Sequence, residues 1–378
     1  MAFDLADHLY FETWTDPQSG VDSFLLEERV APLQKGLYYA TPSIGGNGQW
    51  LWFYGGFPPS RQWMLAAVSL DPARPDIRLF PAAAASGNPL LIPEGDAAYV
   101  PVHDGICLQP IHGKITEVLR MPKEILQNRH LFQLVTDLTR SADGKHFVLD
   151  SRIGSRWLIS LAEIATGTVT PLRWFSRCHH HAMFSPIDPD LILVGQGPWH
   201  DPVTGDKGEM DIRMWLMDTA MKRYEPVLPD LWFNHNCMSC HEWWAPDGMV
   251  CWCDYNEGVY ECDLSQRTKQ LVWSHPLCHA HCDPTKRYYC GDENPYHRTP
   301  ERPCRVLFFD RQTGQEIAIA SNMALPPLSP DAWRSYHLDP HPHFSADGEY
   351  VVYTTTVRGN VDVAVTPVRG ILSKLRSP

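Results

Sequence analysis

The chain is bounded first by what it lacks. Its 378 residues contain no run of eighteen apolar residues, so no membrane-spanning helix is expected. Basic residues are outnumbered, 32 Lys and Arg against 44 Asp and Glu, for a formal net charge of −12. A general nucleic-acid binder needs a basic face, so that class is not expected either. There is no Gly-x-Ser-x-Gly elbow, no Gly-Lys-Ser phosphate loop and no dinucleotide fingerprint. Long helical patterns are scarce. The best, EILQNRHLFQLVTDL from Glu124, carries Val and Thr that suit a strand equally well. The first residues, MAFDLADHLYFETWTDPQSG, have neither a basic region nor an apolar run, so a secretory signal is not expected. Eleven cysteines, an odd number, do not make a complete disulfide framework; they fit free thiols in a reducing cytoplasm.

What is present points to many short strands. Aromatic residues are generous (Trp 14, Tyr 14, Phe 14) and Pro 33 is high. Apolar residues at 44% and charged residues at 20% are ordinary for a globular protein with a large core. The clearest internal repeat is an apolar or aromatic residue, then Ser-x-Asp-Gly, then an alternating strand. RSADGKHFVLD from Arg140 and FSADGEYVVYT from Phe344 are nearly superimposable, and WAPDGMVCWCD from Trp244 matches them. Looser copies place the same turn at residues 47, 94, 143, 188, 247, 285 and 347, a mean step of 50 residues. A tight Asp-Gly turn joins two strands, and about four strands in about 50 residues make one propeller blade. The expected fold is therefore all-β, a seven-bladed β-propeller forming one domain over residues 1–378. A pair of β-sandwiches is the alternative, but sandwiches lack a fixed step.

Histidines occupy one slot of this repeat. His241 and His341 lie six residues before their Asp-Gly turns, and His279 lies six before Thr285. His181 lies seven before Asp188, and Asp137 six before Asp143. Equivalent positions in a propeller ring the central channel, and a ring of imidazoles with a carboxylate suits a metal or acid–base site. His281 and His343 each stand two residues beyond a ring position, where a regular strand points side chains the same way. His279, His281, His341 and His343 are therefore metal-ligand candidates, with His337 a further donor. His179 and His180 adjoin the ring without needing to join it. Cys237, Cys240, Cys251 and Cys253 form a conceivable four-thiolate zinc set. The alternation of CWCD, however, reads as two small apolar residues on one strand face.

Five segments follow in a specific order: VGQGPWH from Val194, DIRMW from Asp211, CHEWWAPDG from Cys240, HAHCDPTKRYYCGDE from His279 and HPHFSADGEYVVYTT from His341. Together they resemble the oligogalacturonate lyases, intracellular enzymes of pectin breakdown, over residues 135 to 360. That resemblance implies a seven-bladed propeller holding Mn²⁺ with histidines and a glutamine in its channel. It implies β-elimination of short oligogalacturonates, with His241 as general base and Arg213 holding a substrate carboxylate. His181 and Trp199 are the further substrate-contact candidates. A family metal-binding histidine matches His279 or His281, and the closing histidine pair matches the His341 region. The family's glutamine has no counterpart here, and His337 or Asp339 stands near its position. Where the family reads His-Glu-Gly-Pro-Trp, this chain has Gly195-Gln196-Gly197-Pro198-Trp199.

The chemistry is consistent with such residues. Removing the C5 proton of a uronate builds negative charge beside a carboxylate, and a cation with an arginine stabilises it. A neutral imidazole is a suitable base near pH 7. An acidic protein would thus bind an anionic oligosaccharide through one cation and Arg213. The competing readings are a lyase or hydrolase on another uronate-containing glycan, and a non-catalytic propeller that binds partners.

Overall fold

In a computed structural model, which describes residues 3–200, 204, 207–208, 211–232, 238–293, 303–324 and 336–375, seven antiparallel sheets follow one another along the chain. Blade 1 is built from Leu33–Lys35, Trp50–Gly56, Trp63–Ser69 and Ile77–Ala85; blade 2 from Leu90–Leu91, Ala97–Val102, Gly105–Pro110 and Thr116–Arg120. Blade 3 holds Thr139–Arg140, His146–Ile153, Arg156–Glu163 and Val169–Phe175, with Leu131–Gln133 paired to the end of His146–Ile153. Blade 4 holds His179–Phe184, Leu191–Gln196, Met214–Asp218 and Tyr224–Pro226. Blades 5 and 6 begin with Ser239–Trp244 and His279–Cys282, and blade 7 with His343–Phe344. Each of the seven turn anchors falls between the first and second strands of a blade. The fixed step of the sequence is therefore the step of the propeller.

Ring closure is a strand exchange between the ends of the chain. Blade 7 takes Asp362–Pro367 from the C-terminal part and Asp22–Leu26 and Phe11–Thr15 from the N-terminal part, with Phe24 opposite Val365 and Leu25 opposite Ala364. Arg29 pairs with Asp362, and Arg358 with Glu12 and Glu27, across this seam.

The strands carry apolar residues on both faces because each blade is sandwiched between two others. In His146–Ile153, Phe147 and Leu149 pack toward blade 2 with Ile106 and Leu119. Val148, between them, packs toward blade 4 with Ala182, Ile192 and Val194. Burying each such side chain contributes about 1.5–3 kcal/mol. One feature escapes the repeat pattern. Val368–Leu375 is a helix whose Val368, Ile371 and Leu375 bury against blades 6 and 7, an i, i+3, i+7 stripe that the sequence displays.

The segment that links blade 5 to blade 6 is tied by charge. His275 meets Glu293 at 2.9 Å and Glu316 at 3.0 Å, while Arg305 also binds Glu293. Burial alone would lower the His275 pKa, but the hydrogen bonds to Glu293 and Glu316 raise it to about 9. A raised histidine stabilises the fold fully below its unfolded value near 6.5 and loses that contribution as pH climbs through 9. After discounting for solvent screening, the loss is about 1–2 kcal/mol. Thermal unfolding should therefore show stability falling between pH 6.5 and 9, and His275→Gln should flatten that slope. An unchanged slope in the variant would remove His275 as its cause.

Candidate functional site

The first strand of each blade starts at the channel, on the face termed here the site face, and runs toward its Asp-Gly turn on the opposite face. The slot residues therefore converge near the site-face mouth. In blades 4 and 5 the strand does not arrive regularly. Pairing shifts between His180 and Met183 and between Cys240 and Trp243, so each inner strand carries a bulge at the slot. His181, His241 and His341 have φ of 50°, 50° and 46°, in the left-handed region. A bulge with a left-handed residue re-aims one side chain off the pleat. His279 differs, pairing regularly opposite Asp292.

These side chains form a stack. The ring of His279 lies 4.1 Å from His241 and 4.3 Å from His341, and His341 lies 4.8 Å from His337. Tyr38 and Tyr39, from blade 1, press against this stack. A polar cavity of about 330 Å³ opens beside it, bordered by His181, His241, His337, His341, Asn88 and Lys35. That volume is at the small end of the ligand-pocket range.

Most of these imidazoles are oriented by an acceptor. His241 Nδ1 lies 2.5 Å from the carbonyl of Cys278; the carbonyl accepts, so Nδ1 carries the proton and Nε2 is the basic nitrogen, with the Tyr255 hydroxyl 3.0 Å from Nδ1 and 3.4 Å from Nε2. His279 Nδ1 lies 3.1 Å from both carboxylate oxygens of Asp292, a fully buried residue. That leaves His279 Nε2 directed away from Asp292, the arrangement by which a carboxylate orients a metal-binding histidine. Asp339 is 1% exposed and lies 3.0 Å from His337 Nε2 and 3.9 Å from His341 Nε2. His341 is 2% exposed, yet its Nε2 has no hydrogen-bond partner. A buried polar nitrogen without a partner is costly unless something fills the place. The donor atoms of His279, Asp339 and His341 lie within 4.8 Å of one another. Two imidazoles and a carboxylate fit a divalent transition metal such as Mn²⁺. Burial pushes the pKa values of His241 and His341 well down, and the neighbouring His279 adds to both shifts.

His181 behaves differently. Its Nδ1 lies 2.5 Å from Asp137, whose other oxygen accepts from Asn88 at 2.6 Å. Burial would lower its pKa, but the Asp137 charge and hydrogen bond raise it overall. Asn88 lies six residues before residue 94, the slot of blade 2, so the repeat would have located it. Lys35 donates to the carbonyls of Tyr336 and His337 and sits 4.2 Å over the Trp63 ring. It thereby holds the segment carrying His337, Asp339 and His341, and burial pushes its pKa down to about 8. No motif marked Lys35, Tyr38 or Tyr39 in the sequence, and Asp292 lies in the HAHCDPTKRYYCGDE segment without being singled out.

Several expected residues stand elsewhere. His343 is fully buried, donating from Nδ1 to His341 O and accepting at Nε2 from the Ser43 amide. Both ring nitrogens are thus used, because the left-handed turn at His341 breaks the i, i+2 alignment expected of HPH. His281 lies one pleat further along a regular strand, and its Nδ1 accepts from the Phe344 amide. Burial takes both pKa values down, His281 to about 3 and His343 to about 4, so they pack as neutral rings between blades. Trp199 falls in the short strand Trp199–His200, but its side chain is outside the described residues. Among the cysteines, Cys251 and Cys253 are core residues beside Tyr39 and Trp243, and Cys237 lies outside the described residues.

Arg213 also departs from expectation. It is 4% exposed and gives two hydrogen bonds, of 2.9 and 3.1 Å, to Glu242. Its Nη1 donates to the Gln196 carbonyl and to Nε2 of His180, at 2.7 Å. The guanidinium is committed to the protein, so a substrate carboxylate would have to displace Glu242. Gly195 is required where this pair crosses blade 4: a Cβ there would lie 2.3 Å from Glu242 Oε1. Burial would raise the Glu242 pKa, but the Arg213 charge lowers it overall. Removing one partner of such a pair strands a buried charge. Glu242→Ala should cost about 3–5 kcal/mol in urea unfolding, and Arg213→Met with Glu242→Leu much less. Equal losses in the two proteins would contradict the pairing.

No family model matches the chain, and no curated protein matches it. Solved structures do. One, described as oligogalacturonate lyase in complex with manganese, superposes with a TM-score of 0.75 at 17% identity, covering 97% of this chain and 98% of that one. A second, oligogalacturonate lyase from Vibrio parahaemolyticus, gives 0.74 at 14% identity, over 96% of this chain and 97% of that one. At such identities the likeness shows the fold: this chain has the seven-bladed propeller architecture found in oligogalacturonate lyase structures.

Proposed function

We propose that this protein is a metal-dependent lyase that cleaves short oligogalacturonates by β-elimination, leaving an unsaturated uronate. The observation that carries the reading is the unpartnered, buried His341 Nε2 set against His279 and Asp339, with the basic nitrogen of His241 on the adjoining ring. The shared propeller fold and the ordered sequence motifs support it. His279, Asp339 and His341 would hold the cation, with His337 as a further donor. His281 and His343, expected as ligands from their spacing, are left out because their rings pack elsewhere. Bound there, a divalent cation supplies electrostatic stabilisation for the charge that develops on the substrate carboxylate.

The chain's own groups divide the proton transfers. His241 Nε2 takes the C5 proton; burial keeps this imidazole neutral and able to accept. The electrons of the C5–H bond form the C4–C5 double bond as the C4–O4 bond breaks. His181, protonated and held by Asp137, gives its proton to the departing O4. Opposed pKa shifts in two groups bordering one cavity support this division into base and acid. Arg213, engaged by Glu242, positions the strand segment beside His241 and does not itself clamp the substrate.

Digalacturonate or trigalacturonate incubated with enzyme and Mn²⁺ should give a product absorbing in the ultraviolet, and a chelator should abolish it. The same panel should include glucuronan oligomers; turnover of these alone would replace the substrate assignment. His241→Ala should lower kcat by about 10²–10⁴-fold with KM little changed. An unaltered kcat would end the base assignment. Asp137→Asn should lower kcat and move the alkaline limb of the pH profile to lower pH, because His181 loses the charge that holds its proton. An unshifted limb would exclude His181 as the acid.

A further inference from the structure

Arginine pairing is uneven over this molecule. Most described arginines have a carboxylate partner, among them Arg29, Arg120, Arg213, Arg267, Arg305 and Arg358. Arg129, Arg152, Arg156 and Arg173 form no ion pair among the described residues, and all four are exposed. Among the other described arginines, Arg61, Arg140 and Arg369 also form no ion pair, and Arg140 is only partly exposed.

These four share one edge. The strand His146–Ile153 runs from its Asp-Gly turn back to the site face, so Arg152 and the hairpin to Arg156 lie there. Val169–Phe175 ends on that face too, bringing up Arg173. Arg129 lies against the hairpin, its Cδ 3.4 Å from a Cβ placed on Gly154. Arg177 follows, in a loose 3.4 Å pair with Asp211 in which both side chains are nearly half exposed. The edge is also aromatic. The Arg152 guanidinium is 5.0 Å from the ring of Phe132 and 5.9 Å from Trp157, and Arg173 lies 4.2 Å over Tyr224. Phe132 is 59% exposed.

This edge continues into the site. Trp157 lies 6.3 Å from His180, which is 4.4 Å from His181 at the cavity wall. In a protein of net charge −12, a row of unpaired arginines is a local positive field that favours an anion. Guanidinium pairs with carboxylates through two parallel hydrogen bonds, and aromatic faces take the apolar side of a sugar ring. A cavity of about 330 Å³ encloses little more than the reacting residues, so further sugars of a longer chain must lie outside it.

We propose that the site-face edge of blades 3 and 4 binds the outer uronate residues of an anionic oligosaccharide, with Arg152, Arg173 and Arg177 on the carboxylates and Phe132 and Trp157 under the rings. The assignment rests on the uronate reading of the cavity and adds the direction in which the chain leaves it. The exposed positions permit substitution without loss of folding, which an unchanged melting temperature would verify.

The test compares hexagalacturonate with digalacturonate. Wild-type protein should bind the hexamer, measured by calorimetry, about tenfold or more tightly than the dimer. In the double variant Arg152→Ala with Arg173→Ala, the hexamer-to-dimer ratio should fall toward one, for Kd and for kcat/KM alike. Phe132→Ala should lower it partway. A wild-type protein with no chain-length preference, or a double variant that keeps it, overturns the proposal. So does equal, arginine-dependent binding of a single-stranded oligodeoxynucleotide, which would make the edge a general polyanion surface. If hexamer binding depends on the two arginines but no uronate is cleaved, the edge stands and the lyase reading falls.

Discussion

The site depends on one constraint: imidazoles brought to the axis of a propeller are buried, and each must be given a hydrogen-bond acceptor. Asp292 supplies it for His279, the Cys278 carbonyl for His241 and Asp137 for His181. These acceptors fix which ring nitrogen carries hydrogen, and hence which nitrogen is presented to a ligand. His341 is the exception, and its unpartnered Nε2 sits beside a buried carboxylate. The His341 donor atom lies within 4.8 Å of those of His279 and Asp339, the group of described residues that could hold a cation.

The same acceptors separate the histidines electrostatically. Near other imidazoles, burial drives His241 toward its neutral form. Beside Asp137, the carboxylate outweighs burial and the His181 pKa moves up instead. One residue type, in one slot of neighbouring blades, is thereby shifted in opposite directions by its surroundings. The Arg213–Glu242 pair contributes rigidity to this arrangement rather than a free charge, since its donors are spent on Glu242, His180 and a backbone carbonyl.

Much of this is legible in the sequence, in a graded way. The Asp-Gly turns and alternating strands give the blade count because the repeat in sequence is the repeat in space. The slot six residues before each turn gives His241, His279 and His341, and it would have given Asn88. The failures have local causes. HPH at His341 to His343 was expected to present two ligands, but a left-handed residue turns the first ring out of the pleat and leaves the second in the core. The helix Val368–Leu375 has its apolar stripe in the sequence, but it falls outside the repeat that organises everything else. Lys35 carries no local signal, because its partners Tyr336 and His337 lie 301 and 302 residues away; Asp292 sits inside a quoted segment, but only the strand register sets it opposite His279.

By itself the sequence determined the β class, the number of blades and the set of histidines that reach the channel mouth. These follow from periodicity, and periodicity is a property of the chain alone. The tertiary structure decided which imidazoles face one another, which tautomer each adopts, that Arg213 is already bound, and that the unpaired arginines share one edge. Those facts depend on side-chain direction and on cross-blade partners, and neither is fixed until the ring closes and neighbouring blades bury each other's faces.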